Sequence, residues 1–206
     1  MEKHGRRVSR RLYRIKGGSL TVSELPVEGF KFGDGRAFTV VKSGLEHVTV
    51  APALGYIAEL ATRIAPWVDL YLGPRILSET GERWGGHCHQ NQGVVFVNTR
   101  AYASTALETL FHELFHAVDW YLQPPDRRVL DAAVARGADY ESEYLSDPVE
   151  RRARLFEKFA SYIYEGGRCL ACADTPEVEV LWRIYSGKIG QEIFEAMQGF
   201  EDIAAA

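Results

Sequence analysis

Residues 110 to 122 read "LFHELFHAVDWYL", two histidines four apart and a glutamate set into a mostly apolar run. No other stretch constrains the fold as strongly. Leu110, Phe111, Leu114, Phe115 and Val118 recur at helical spacing, so the segment is predicted to be a packed helix. Thr105 and Glu108 match a Thr-x-x-Glu capping box at its start, and Pro124 and Pro125 are predicted to stop it. At 3.6 residues per turn, His112 and His116 then share one face. Burying two imidazoles and a carboxylate without partners is costly, so something must satisfy them. A divalent metal does so: two imidazoles one turn apart can each bind Zn²⁺ at about 2.0–2.1 Å. Glu113, at the edge of the same face, can act on a water held there without being a ligand. That is the chemistry of His-Glu-x-x-His.

Two protein ligands are too few for a catalytic zinc, which ordinarily has three and keeps one position open. His4, His47, His87 and His89 are the other histidines, and none follows "HELFHAVDWYLQ" at close spacing. A carboxylate on a later helix is therefore expected, and "SDPVERRARLFEKFASYIYEGG" is the amphipathic segment that can carry it. Asp147-Pro148-Val149-Glu150 has the form of a helix start, with Asp147 as N-cap and Pro148 at the first helical position. Glu150 and Glu157 are seven residues apart and share a face. Local physics leaves both open as the third ligand.

"HELFHAVDWYL" followed by "ERRARLFEKFASYI" resembles the gluzincin zinc metallopeptidases, in particular the catalytic domain of anthrax lethal factor and related small zincin-like domains. In that family a first motif His-Glu-x-x-His-Ala-Val-Asp is followed by a Glu-x-x-Ala-x-x-Phe segment whose glutamate is the third ligand. This chain has His112, Glu113, His116, Ala117, Val118 and Asp119 for the first, and Glu150, Ala153 and Phe156 for the second. The likeness covers residues 105 to 165 at most. It implies one Zn²⁺ held by His112, His116 and Glu150, with Glu113 as general base and a peptide or protein as substrate. Glu157 and Asp119 become candidates for the shell around the ligands, although for Asp119 a structural hydrogen bond is the expectation. The family also places a tyrosine just before the third ligand to stabilise the oxyanion. Tyr144, six residues ahead of Glu150 and one residue off that spacing, is the candidate for this catalytic role, with Tyr140 ten ahead and a surface loop tyrosine as the alternative.

The rest of the chain supplies the setting. Its 206 residues, 46% hydrophobic and 25% charged, suit one soluble-type domain with a sizeable core. Residues 19 to 50 read as strands, with Ser43-Gly44 as a hairpin turn between "RAFTVVK" and "LEHVTVA". Residues 52 to 66 read as a helix, and "WVDLYL" and "GVVFVNT" as short strands separated by the Gly-rich loop "GERWGGHCHQNQG". "GVVFVNT" is expected to be the strand at the cleft edge, where an extended peptide adds by backbone hydrogen bonds. Everything after residue 103 reads as helix. The expected fold is thus α+β and zincin-like: a small N-terminal twisted sheet with a covering helix, the His-Glu-x-x-His helix, and a helical C-terminal part.

Charge and cysteines leave side issues. Residues 1 to 16 hold seven Lys or Arg against Glu2 alone, a net +6, so with the chain at −4 the remainder carries −10. Residues 1 to 18 are expected to be a basic, solvated arm, with 19 to 206 as the single domain. Such an arm leaves a nucleic-acid partner open, but no recognition module accompanies it. Cys169-x-x-Cys172 with Cys88 in "HCH" is a rival metal site, against which separate reduced thiols are expected. No apolar run approaches the length of a membrane span and no secretory signal is seen, so a cytoplasmic address is the default expectation. The alternative to a peptidase is a zincin-fold binding or regulatory module in which the metal is structural.

Overall fold

In a computed structural model the chain is described at residues 11–16, 19–24, 30–31, 37–40, 54–73, 76–77, 83–90, 93–98, 103–136, 146–165 and 175–204. The elements run β1 (Arg11–Lys16), β2 (Ser19–Glu24), β3 (Phe30–Lys31), β4 (Ala37–Val40), α1 (Leu54–Ile64), β5 (Asp69–Gly73), β6 (Ile76–Leu77), β7 (Arg83–Trp84), β8 (Gly86–His89) and β9 (Val94–Asn98). Helices α2 (Ala103–Asp119), α3 (Pro124–Ala135), α4 (Pro148–Tyr164), α5 (Pro176–Tyr185) and α6 (Lys188–Ala204) follow. The fold is mixed α+β, with the strands in the first half and mostly helix after them.

Five strands form one sheet in the order β2-β1-β5-β9-β8, and four short ones form a second, β3-β4-β6-β7. β5 and β9 are parallel, with Leu70 opposite Val95 and Leu72 opposite Val97. The other pairs of the larger sheet are antiparallel. A parallel pair needs a long connection. Here residues 74 to 93 supply it, passing through β6 and β7 and returning as β8 along the outer side of β9.

Leu70, Leu72, Val95 and Val97 alternate onto one face of the sheet and are essentially fully buried. They join one cluster with Leu60 and Ile64 of α1 and Leu110, Phe111, Leu114 and Phe115 of α2. α2 lies between β8 and β9 on one side and α4 on the other. Phe111 and Phe115 meet Phe156 of α4 at ring-centroid distances of 6.4 and 5.4 Å. Every residue from Leu110 to Asp119 is buried, which is why this helix is apolar on nearly all sides. On the far side, α6 packs so closely on α1 that a Cβ at Gly190 would run into the Ile64 carbonyl oxygen.

The same sandwich explains Asp119. Arg152 of α4 donates to both its carboxylate oxygens at 2.8 Å, both side chains being almost wholly buried. Arg152 also pairs with Asp131 of α3. Asp119 therefore ties α2 to α4. Asp119→Ala is expected to destabilise the protein by about 3 kcal/mol, because it leaves a buried guanidinium short of its main partner. Urea unfolding checks this, and a loss below about 1 kcal/mol would show that Asp131 alone suffices.

Several expectations need correction. Pro124 and Pro125 do not stop the helix of the two histidines: α2 ends at Asp119, and the two prolines open α3, where their missing N–H groups cost nothing. α2 begins at Ala103, so Thr105 sits inside its first turn rather than at the cap. The Gly-rich stretch before β9 is not all loop, since it contains β7 and β8. The sheet edge beside α2 is accordingly β8, and β9 lies one strand inside. Residues 11 to 16, assigned to the basic arm by their charge, form β1 between β2 and β5. Residues 1 to 10, the Ser43-Gly44 turn, Tyr140, Tyr144, Cys169 and Cys172 lie outside the described residues. Among the described residues no helix is long and apolar enough to cross a membrane.

Candidate metal centre

α2 and α4 bring three side chains to one point. His112 and His116 are one turn apart on α2, with their Nε2 atoms 3.1 Å from each other. Glu150 reaches them from the first turn of α4, with Oε2 at 3.2 Å from His112 Nε2 and Oε1 at 3.3 Å from His116 Nε2. The start of α4 is held as its sequence implies: the Asp147 side chain accepts from the Val149 N–H at 2.8 Å, and Pro148 opens the helix. This cap aims the first turn, and with it Glu150, at α2.

The donor chemistry fits a cation. Tetrahedral bonds of 2.0–2.1 Å place ligand atoms about 3.3–3.4 Å apart, close to the triangle found here. Glu157 lies on the other side of His112, with Oε2 3.0 Å from Nδ1. A hydrogen bond from Nδ1–H to that carboxylate leaves the Nε2 lone pair facing the Glu150 oxygens and the second imidazole. Lone pairs so arranged repel unless a proton or a metal ion lies among them. His112, His116 and Glu150 are the group among the described residues whose ligand atoms converge this way. Two imidazoles and a carboxylate suit several first-row divalent ions, zinc among them.

Electrostatics describes the same pocket from the proton's side. Burial works to lower the pKa of His112, but its hydrogen bonds to Glu150 and Glu157 outweigh it and raise the value to about 9. Glu113 is pushed up to about 7, chiefly by burial, with the two imidazoles opposing. Both groups thus hold protons in the metal-free fold that the unfolded chain releases at lower pH. The native state binds the extra protons, so stability falls as pH rises through these windows. From Glu113 the loss runs from about pH 4.5 to about 7, and from His112 from about 6.5 to about 9. Metal-free protein is expected to melt at lower temperature at pH 9 than at pH 5. Ion uptake at pH 7 is expected to release about one proton, because a ligand imidazole must be neutral. Calorimetry in buffers of different ionisation enthalpy reads that proton, and a release of zero would contradict the assignment of His112.

Around the three ligands opens a cleft of about 730 Å³, bounded by α2, α4 and β8 and lined also by His87, Gln90, Glu108, Glu113 and Arg154. Glu113 is buried on its floor, 8% exposed, and not one of the converging ligands. Cys88 sits on β8 as a free thiol raised well above its ordinary pKa, first by burial and then by the Glu113 carboxylate. His116 Nδ1 is buried with no hydrogen-bond acceptor among the described residues.

Of the expected site residues, the fold gathers His112, Glu113, His116, Glu150 and Glu157, and turns Asp119 away into its ion pair with Arg152. The wall formed by β8 was missed, because two adjacent glycines and "HCHQNQG" carry the composition of a loop. The alternation within "GHCH" was the signal available. Comparison of the chain with protein-family models, with curated proteins and with solved structures gave no match.

Proposed function

We propose that the chain is a zinc-dependent peptidase of gluzincin type, with a zincin-like fold. The observation that carries this reading is the position of Glu113. It is a buried carboxylate beside a group of two imidazoles and one carboxylate, at the floor of an open cleft. A closed structural site would have four protein ligands and no use for such a group.

In this reading His112, His116 and Glu150 hold the ion, which when bound polarises the scissile carbonyl and acidifies the attacking water. Glu113 takes the proton of that water and delivers it to the leaving amine as the C–N bond breaks. Glu157 keeps the Nδ1 proton of His112 in place, so that Nε2 stays available as a donor to the ion. β8 is the end strand in the order of the larger sheet. An extended peptide laid along that edge, making strand-type backbone hydrogen bonds, would pass the ligand group. Mixed quenched-fluorescent peptides, incubated with zinc-reconstituted protein and with chelator-treated protein, test the reading. Cleavage is expected only with the metal. One tightly held zinc per chain with no cleavage of any peptide would leave the ion a structural role.

A further inference from the structure

Gly85 and Gly86 stand next to each other where the chain enters β8 beside α2. Among the described glycines only Gly93 and Gly187 have positive φ, so backbone conformation does not demand a glycine at either place. Space distinguishes them. A Cβ on Gly86 would lie 2.6 Å from Glu113 Cγ, 2.6 Å from Thr109 Cγ2 and 2.9 Å from Glu113 Oε1. Carbon atoms in contact prefer about 3.5–4.0 Å. A Cβ on Gly85 would meet only Thr109, at 3.4 Å from Oγ1 and 3.7 Å from Cγ2, which is ordinary contact.

We infer that Gly86 is a positioning residue for Glu113. Its bare α-carbon lets the strand close over the glutamate side chain and fix the carboxylate against the two-histidine face of α2. A methyl group there must push either the strand away or Glu113 out of its place. Glu113 is buried, and Thr109, one turn earlier on α2, would be met as closely as the Glu113 Cγ. The three atoms nearest to a Cβ at Gly86 belong to Glu113 and Thr109 and not to any of the three metal ligands, so ion binding is expected to be spared. The inference rests on the peptidase reading where it makes Glu113 the base, and on packing alone where it makes Gly86 the residue that places it.

The test compares Gly86→Ala, Gly85→Ala, Glu113→Ala and the double variant Gly86→Ala/Glu113→Ala. Tm of the metal-free proteins, zinc stoichiometry, kcat and KM are measured for each. Gly86→Ala is expected to keep one zinc per chain, to lower Tm by about 5 °C, and to lower kcat about a hundredfold with little change in KM. Gly85→Ala is expected to stay near wild type in every measurement. In the Glu113→Ala background, the Tm loss from Gly86→Ala is expected to shrink to about half or less, because two of the three close contacts are gone. An equal loss in both backgrounds, failure of both Gly86→Ala proteins to fold, equal damage from Gly85→Ala, or an unchanged kcat in Gly86→Ala would each overturn the inference. Absence of cleavage by wild type would sink the peptidase reading separately, and the Tm comparison would still decide whether Gly86 sets the place of Glu113.

Discussion

Glu150→Ala is expected to lose the metal, while Glu157→Ala is expected to keep it with weaker affinity. The two carboxylates lie on one face of α4 and both touch His112, but on opposite ring nitrogens. Glu150 meets Nε2 and also meets Nε2 of His116, at 3.2 and 3.3 Å. Glu157 meets only Nδ1, at 3.0 Å. Removing Glu150 leaves two ligands, too few to hold a catalytic ion. Removing Glu157 leaves three, with His112 free to rotate, and an outer-shell loss of this kind weakens binding roughly 10–100-fold. Metal content after dialysis, read by mass spectrometry on the three proteins side by side, separates the cases. Zinc retained in Glu150→Ala and lost from Glu157→Ala would reverse the roles and require α4 to be displaced along its axis by about two turns.

On the proposed peptidase reading, Glu113→Gln is expected to keep the zinc and to lower kcat by about 10²–10⁴-fold, the usual contribution of a general base. The amide matches the carboxylate in size and remains inside the same packing, but it cannot take a proton from water. Stability should move the other way. The Glu113 carboxyl is raised from 4.5 to about 7 by burial, so above pH 7 the metal-free wild type carries the cost of a buried anion and the variant does not. At pH 8 the metal-free variant is therefore expected to melt no lower than wild type, and at pH 5 the difference should shrink. Cleavage at the wild-type rate by a zinc-bearing Glu113→Gln protein would end the general-base role. A variant that also lost its zinc would show instead that Glu113 supports the ligands.

The site was legible in the sequence wherever it depends on helical spacing. His112 and His116 four apart on one helix must share a face, and Glu113 must project beside it. Asp147 and Pro148 likewise mark the start of α4, and the Asp147 side chain caps it as such a residue does. Composition misled where glycine has two meanings. Gly85-Gly86 is the composition of a loop, but β8 begins at Gly86, where a Cβ would lie 2.6 Å from the Glu113 Cγ of α2. The prolines at 124 and 125 misled in the same way: a proline that ends one helix and a proline that opens the next are the same residue in sequence.

By itself, then, the sequence determined the facing pair of imidazoles, the neighbouring carboxylate and the amphipathic helix that follows, because each is a consequence of 3.6 residues per turn. Only the tertiary structure decided which glutamate meets both imidazoles. Glu150 and Glu157 differ by two turns on one face, and that separation becomes a difference in role only once α4 lies against α2 at a definite height. The Arg152–Asp119 pair and the contact of Phe156 with Phe111 and Phe115 set that height. All of these join residues more than thirty positions apart, and no local pattern records them.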